Sequence, residues 1–293
     1  MSFDSPGRSS SNDGRNRGRP DRRYTDCLPA GRHRRTAGGV ASWRRHRRCA
    51  SILASRPRGS RGHPPGLRAE LARLRASDDG IDHSIETYID IVERFIERLG
   101  LESITLAGIS MGGGAALGYA LAHPERVDRL ALVDSYGLGP RIPGGRIWKA
   151  AALVPGSNAM SFAAMGVSRA ATRAGLGMVV ADERRLEESF ITDVRQRAQQ
   201  PSVGRAFEDF QRNEIAMSGR ARTNYAEELP DLEMPTLLVH GQEDPLFPAQ
   251  WSAAAAQLIP DAELHLLERC GHWPTRERPA RFGRIFRGFL EGS

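Results

Sequence analysis

The stretch Leu106-Ala107-Gly108-Ile109-Ser110-Met111-Gly112-Gly113-Gly114 reads as an apolar strand, a sharp turn carrying one serine, and the start of a helix of small residues. Within it, Gly108-x-Ser110-x-Gly112 has the spacing of a nucleophile elbow, where glycines flank a serine because strand and helix pass too close for larger side chains. A hydroxyl held on such a turn can attack a carbonyl, provided that another group takes its proton. Alone the pattern is weak, since the chain has 31 glycines and a serine opening a helix is commonly only a cap. Its setting strengthens it. Ser103 to Ala107 predicts a buried strand, and Gly113-Gly114-Ala115-Ala116 lets the following helix pack tightly on the sheet.

The neighbouring elements can be read from periodicity. Ser84-Ile85-Glu86-Thr87 starts a helix, and Ile85, Tyr88, Ile89, Val92, Phe95, Ile96 and Leu99 follow at spacings of three and four until Gly100. After the serine turn a helix runs from Met111 to Ala122 and ends at His123-Pro124, where proline cannot continue it. Leu130 to Asp134 then forms a second apolar strand, so strand, helix and strand make one unit of a parallel sheet. His83 falls in a helix-entry loop, His123 at a helix end, and His240 and His265 in strands where packing or solvent, rather than chemistry, is expected.

With 293 residues the chain can form one large α/β domain with an insertion, or two small domains. No apolar run approaches the roughly 20 residues needed to span a bilayer, so no membrane segment is expected. Cys27, Cys49 and Cys270 are odd in number and lack metal-ligand spacing, which argues against a disulfide framework and a zinc site and makes a reducing cytoplasm the default location. The net charge of +7 is unevenly spread: residues 1–76 hold 19 Arg, no Lys and five acids, so the rest of the chain is net negative. A nucleic-acid partner is therefore not expected for the body of the protein.

Residues 1–76 are rich in Arg, Gly, Ser and Pro, a composition that favours disorder. The run Trp43-Arg44-Arg45-His46-Arg47-Arg48 could meet phosphates, an Arg- and Ser-rich start resembles a transit peptide, and Arg22-Arg23 suggests twin-arginine export without the apolar stretch that should follow. The abrupt change near Ser77 is also what a reading-frame change in a GC-rich gene would produce. A short helix over 65–76, with Leu67, Leu71 and Leu74 on one face, is the plainer alternative.

Gly108-Ile109-Ser110-Met111-Gly112-Gly113, followed by Ala122-His123-Pro124-Glu125-Arg126-Val127-Asp128-Arg129-Leu130, resembles the α/β-hydrolase family. Downstream, Pro235 to Asp244 is similar to the family's penultimate strand and acid loop, and Cys270-Gly271-His272-Trp273-Pro274 to its histidine loop. The resemblance implies a mostly parallel α/β sheet with flanking helices, built from 77–139 and 229–293, with a helical cap over 140–228. It implies a catalytic triad of Ser110, His272 and Asp244, with Asp134 as the alternative acid, and no metal or cofactor. One oxyanion donor would be the backbone N–H of Met111. The other should follow a His-Gly motif, for which His63-Pro64-Pro65-Gly66 is a poor match. The family's amino-terminal strands are expected to be missing or replaced, which would leave the serine strand with an open edge.

Within the family, Asp134 to Pro140 and Cys270 to Trp273 look most like hydrolases that cleave carbon–carbon bonds in ring-fission products. Those enzymes usually place Asn or His where this chain has Ile109, and use a cap arginine for which Arg195 or Arg197 is the candidate. Ile109, Trp273 and Arg195 are thus the expected substrate contacts. Cap helices are predicted near 146–153, 168–180, 182–199 and 203–217. The expected function is hydrolysis of small apolar esters or related acyl and carbon–carbon substrates, with a small-molecule substrate, no membrane partner and the oligomeric state left open. The alternative is an impaired or incompletely folded member lacking the oxyanion strand.

Overall fold

The computed structural model describes the strands Ile52–Ser55 and Leu67–Ala69 and residues 82–292. Its sheet has the order β2-β1-β3-β4-β5-β6, where β1 is Ile52–Ser55, β2 Leu67–Ala69, β3 Ile104–Ile109, β4 Val127–Val133, β5 Thr236–Gly241 and β6 Ala262–Leu267. β3 to β6 are parallel; β1 runs antiparallel to β3 and β2 antiparallel to β1. In register, Leu106 lies opposite Leu130 and Ile109 opposite Val133, which brings the carboxyl ends of β3 and β4 level.

Alternation along the strands divides the core in two. Ile104, Leu106, Leu130, Leu132 and Leu238 point to one face, packed with α1 (Ile85–Arg98), α2 (Met111–Ala122) and α8 (Ala249–Leu258). Ala107, Ile109, Ala131, Val133, Leu237 and Val239 point to the other, where α10 (Pro279–Glu291) contributes Phe282, Phe286 and Phe289. Each of those buried rings is worth roughly 1.5–3 kcal/mol. The start of α1 is fixed by Ser84, whose Oγ accepts from the Thr87 amide at 3.1 Å, and by the buried Glu214, which accepts from the Ile85 amide at 2.8 Å. Gly100, at φ +59°, ends it.

Between β4 and β5 lie five helices: α3 (Gly145–Ala152), α4 (Ser157–Gly166), α5 (Arg169–Leu176), α6 (Glu188–Ala198) and α7 (Pro201–Glu214). Four of them fall where periodicity places helices, although the stretch 182–199 is broken into a 3-10 turn, Glu183–Arg185, and α6. The turn forms because the Asp182 carboxylate accepts from the Arg184 amide. α4 is absent from the sequence reading. Its exposed side carries Met160, Ala163 and Ala164 beside Ser161, so it shows only a thin polar stripe where a surface helix usually shows a broad one.

The expected open edge of the serine strand and the alternative of a helix over 65–76 need correction. β1 pairs with β3, Ile52 opposite Gly108 and Ser55 opposite Thr105, so the serine strand has no open edge, and Leu67–Ala69 is strand rather than part of a helix. Runs of four and three residues are too short to show a period among arginines and glycines; the apolar edge of β3 supplies what their own pattern lacks. The basic run Trp43–Arg48, the sequence His63–Gly66, Cys27 and Cys49 lie outside the described residues, as does most of the segment to which the disorder, targeting and reading-frame readings apply. No helix among the described residues is long and apolar enough to cross a membrane.

Candidate active site

Ser110 stands at the end of β3 with φ 55° and ψ −125°, a conformation that L residues rarely adopt. The backbone around it has no slack. Ser110 donates its amide to the Val133 carbonyl at 3.0 Å, while its carbonyl accepts from the amides of Gly113 at 2.9 Å and Tyr136 at 3.1 Å. A Cβ on Gly108 would lie 2.1 Å from the Gly112 carbonyl oxygen, and one on Gly113 2.4 Å from Ser135 Oγ. These are the close passages that the glycine spacing predicts. Met111 opens α2, so its N–H is among the four that no helical carbonyl can take.

Asp244 and His272 come from loops following β5 and β6, at the same edge of the sheet. His272 Nε2 is 2.9 Å from Ser110 Oγ and its Nδ1 is 2.7 Å from Asp244 Oδ2. The structure thus brings together the three residues that the sequence singled out. Ser110, His272 and the side chain of Asp244 are buried, and the Phe247 ring packs edge-on against the imidazole with centroids 5.4 Å apart. Asp244 Oδ1 accepts from the amides of Leu246 at 2.8 Å and Phe247 at 3.3 Å, which fixes the carboxylate. Burial alone would push its pKa up; His272 and His240 outweigh burial and hold it below the usual carboxylate range.

His240 lies in a strand and is packed, and its position there does not reveal its partners. It is fully buried at the end of β5, with Nε2 3.2 Å from Asp244 Oδ2 and 3.0 Å from the Phe247 carbonyl, and Nδ1 2.7 Å from Ser252 Oγ. Burial opposes charge on the ring, but Asp244 and Asp134 more than offset it, and its pKa is raised. Asp134, also fully buried, accepts from the Gly241 amide through Oδ1 at 2.9 Å and leaves Oδ2 without a partner. Burial pushes it up to about 7 despite the two nearby histidines. The only sequence signal for this group was an acid at the end of one strand beside a histidine at the end of the next.

Asp134, His240 and Asp244 offer ligand atoms within 4.8 Å of one another. Both His240 nitrogens and both Asp244 oxygens are already engaged, so the group reads as a hydrogen-bonded acid–base cluster rather than a metal centre. Of the expected substrate contacts, Ile109 and Trp273 lie in the apolar cluster on the α10 face, together with Leu176, Val180, Phe190 and Val194 of the helical insertion. Trp273 meets Phe190 edge-on at 5.4 Å. Arg195 instead donates to the carbonyls of Gly166 at 3.1 Å and Val167 at 3.3 Å, at the end of α4.

A family model described as alpha/beta hydrolase fold matches residues 54–279. The chain belongs to this family. Two curated relatives of this α/β-hydrolase are named 2-hydroxymuconate semialdehyde hydrolase. One, from Pseudomonas putida, is 34% identical over 67% of this chain and 65% of its own length, so the chain spans just under two thirds of it. The other, from Pseudomonas sp. strain CF600, is 32% identical over 70% of this chain and 68% of its own length. Among solved structures, a meta-cleavage product hydrolase from Pseudomonas fluorescens IP01 superposes with a TM-score of 0.61 at 24% identity, covering 78% of this chain and 80% of that one. That likeness is one of fold.

Proposed function

We propose that this α/β-hydrolase is a serine hydrolase in which Ser110, His272 and Asp244 act as nucleophile, base and orienting acid. The observation that carries the reading is the unbroken series of contacts, 2.9 Å from Ser110 Oγ to His272 and 2.7 Å from His272 to Asp244. Ser110 Oγ attacks a carbonyl carbon as His272 Nε2 takes its proton, and the Met111 N–H faces the charge that develops on oxygen. Collapse breaks the bond to the leaving group, which takes the proton from His272. Water, deprotonated by the same nitrogen, then releases the acid and frees Ser110.

The curated relatives favour a conjugated oxo acid such as 2-hydroxymuconate semialdehyde as substrate, with a carbon–carbon bond broken and the five inserted helices serving as a cap. A second reading, an esterase for small apolar esters, is favoured by Ile109 in its apolar setting and by the engagement of Arg195 with helix-end carbonyls.

Turnover of 2-hydroxymuconate semialdehyde and of p-nitrophenyl butyrate by the purified chain and by Ser110→Ala separates these readings. Loss of activity in the variant by about 10³-fold or more is expected on at least one substrate, and the preferred substrate decides between the two. Equal activity in both proteins, or none in either, sinks the serine mechanism for this chain.

A further inference from the structure

The histidine loop is held by a carboxylate outside the triad. Glu277, at the end of the single-turn helix α9 (Pro274–Glu277), is only 4% exposed. It accepts from three backbone amides: Gly271 at 3.0 Å to each oxygen, Trp273 at 3.2 Å to Oε1, and Ala181 at 2.8 Å to Oε2. Gly271 and Trp273 flank His272 directly. Ala181 belongs to the helical insertion, just beyond α5, so one carboxylate bridges two segments far apart in sequence.

The bridge is reinforced next to it. The His272 amide donates to the Val179 carbonyl at 2.9 Å, and a Cβ on Gly271 would lie 2.7 Å from Val180 Cα. A Cβ on Gly241, at the end of β5, would in turn lie 2.0 Å from the Gly271 carbonyl oxygen. Strand end, histidine loop and insertion base are therefore stacked backbone on backbone, with the Glu277 carboxylate joining the histidine loop to the insertion base. A buried anion satisfied by N–H donors holds its partners strongly, because leaving those amides unpaired in the interior is costly.

We propose that Glu277 is a positioning residue that clamps the histidine loop to the base of the helical insertion, so that His272 is aligned with Ser110 only while Val179–Ala181 is seated. This rests on the serine-hydrolase reading for its catalytic consequence. The insertion then has no hinge at 179–181, and any opening over the site must occur farther along the insertion. Gln in place of Glu277 keeps a single acceptor oxygen for two separate segments and must abandon one of them.

The test compares wild type, Glu277→Gln and Glu277→Ala with p-nitrophenyl butyrate, with active sites counted by a fluorophosphonate label and stability followed in urea. The expected result is a kcat per labelled site about tenfold lower for Gln and up to about a hundredfold lower for Ala, with KM within about twofold. A kcat per labelled site within about twofold of wild type, with only the urea midpoint reduced, overturns the proposal.

Hydrogen exchange on the wild type needs no variant to fold. The amides of Ala181, Gly271, His272 and Trp273 should be protected to the same degree and open together. Exchange of Ala181 independent of the other three overturns the clamp. If the wild type shows no Ser110-dependent turnover, the hydrolase reading fails and the exchange result alone judges the clamp.

Discussion

Around Ser110 the backbone is constrained by contact, Gly108 against the Gly112 carbonyl and Gly113 against Ser135, and neither contact involves a charged side chain. Around His272 the close approaches of Gly241 and Gly271 are joined by three buried carboxylates, Asp134, Asp244 and Glu277, which accept backbone amides or face histidines. The nucleophile is thus placed by shape and its base by hydrogen bonding to charge. Steric placement tolerates no substitution at the contact, because close-packed backbone cannot yield, whereas polar placement can be lost by degrees. Damage on the serine side should therefore appear as loss of the fold, and damage on the histidine side as loss of rate.

The sharpest test of that contrast is Asp244→Asn, expected to lower kcat by about 10⁴-fold through loss of the charge that supports the His272 cation, with little change in urea midpoint. A variant that unfolds instead would show that the acid is mainly structural. Next in size is Gly108→Ala, which should cost about 3 kcal/mol or more, since its Cβ would meet a carbonyl oxygen at 2.1 Å. A urea midpoint unchanged from wild type would end the steric account.

The smallest effect concerns Asp134, whose pKa burial raises to about 7. The folded state holds this proton more tightly than the unfolded chain, so the stability it contributes is complete in acid. That contribution is lost as pH rises from the ordinary carboxylate range through about 7. Asp134→Asn should therefore melt increasingly above wild type between about pH 4 and pH 8. A difference that stays constant with pH would mean that Asp134 does not titrate there.

The same contrast explains what could be read from the sequence. Shape leaves a motif: Gly-x-Ser-x-Gly names the serine turn because only glycine fits, and strands β3 and β4 follow from apolar runs. Asp244 and His272 were legible through their loops and order. Glu277 was not, because an acid in Thr275-Arg276-Glu277-Arg278 looks like any solvated charge until three amides from two segments converge on it. The surroundings of His240 were not legible for a related reason, since the period of a strand says that a side chain is buried but not what it is buried against. β1, β2 and α4 escaped notice because each lacks a polar–apolar rhythm of its own.

Pairing β3 with β4 joins residues about 24 apart in sequence, whereas pairing β3 with β1 joins residues about 50 apart. Chain closure costs more as the loop lengthens, about 0.6 kcal/mol per doubling, so the border with β1 carries about that much more closure cost than the border with β4. Of the two borders of the serine strand, the one toward the amino terminus is therefore the one whose closure orders the longer stretch of chain.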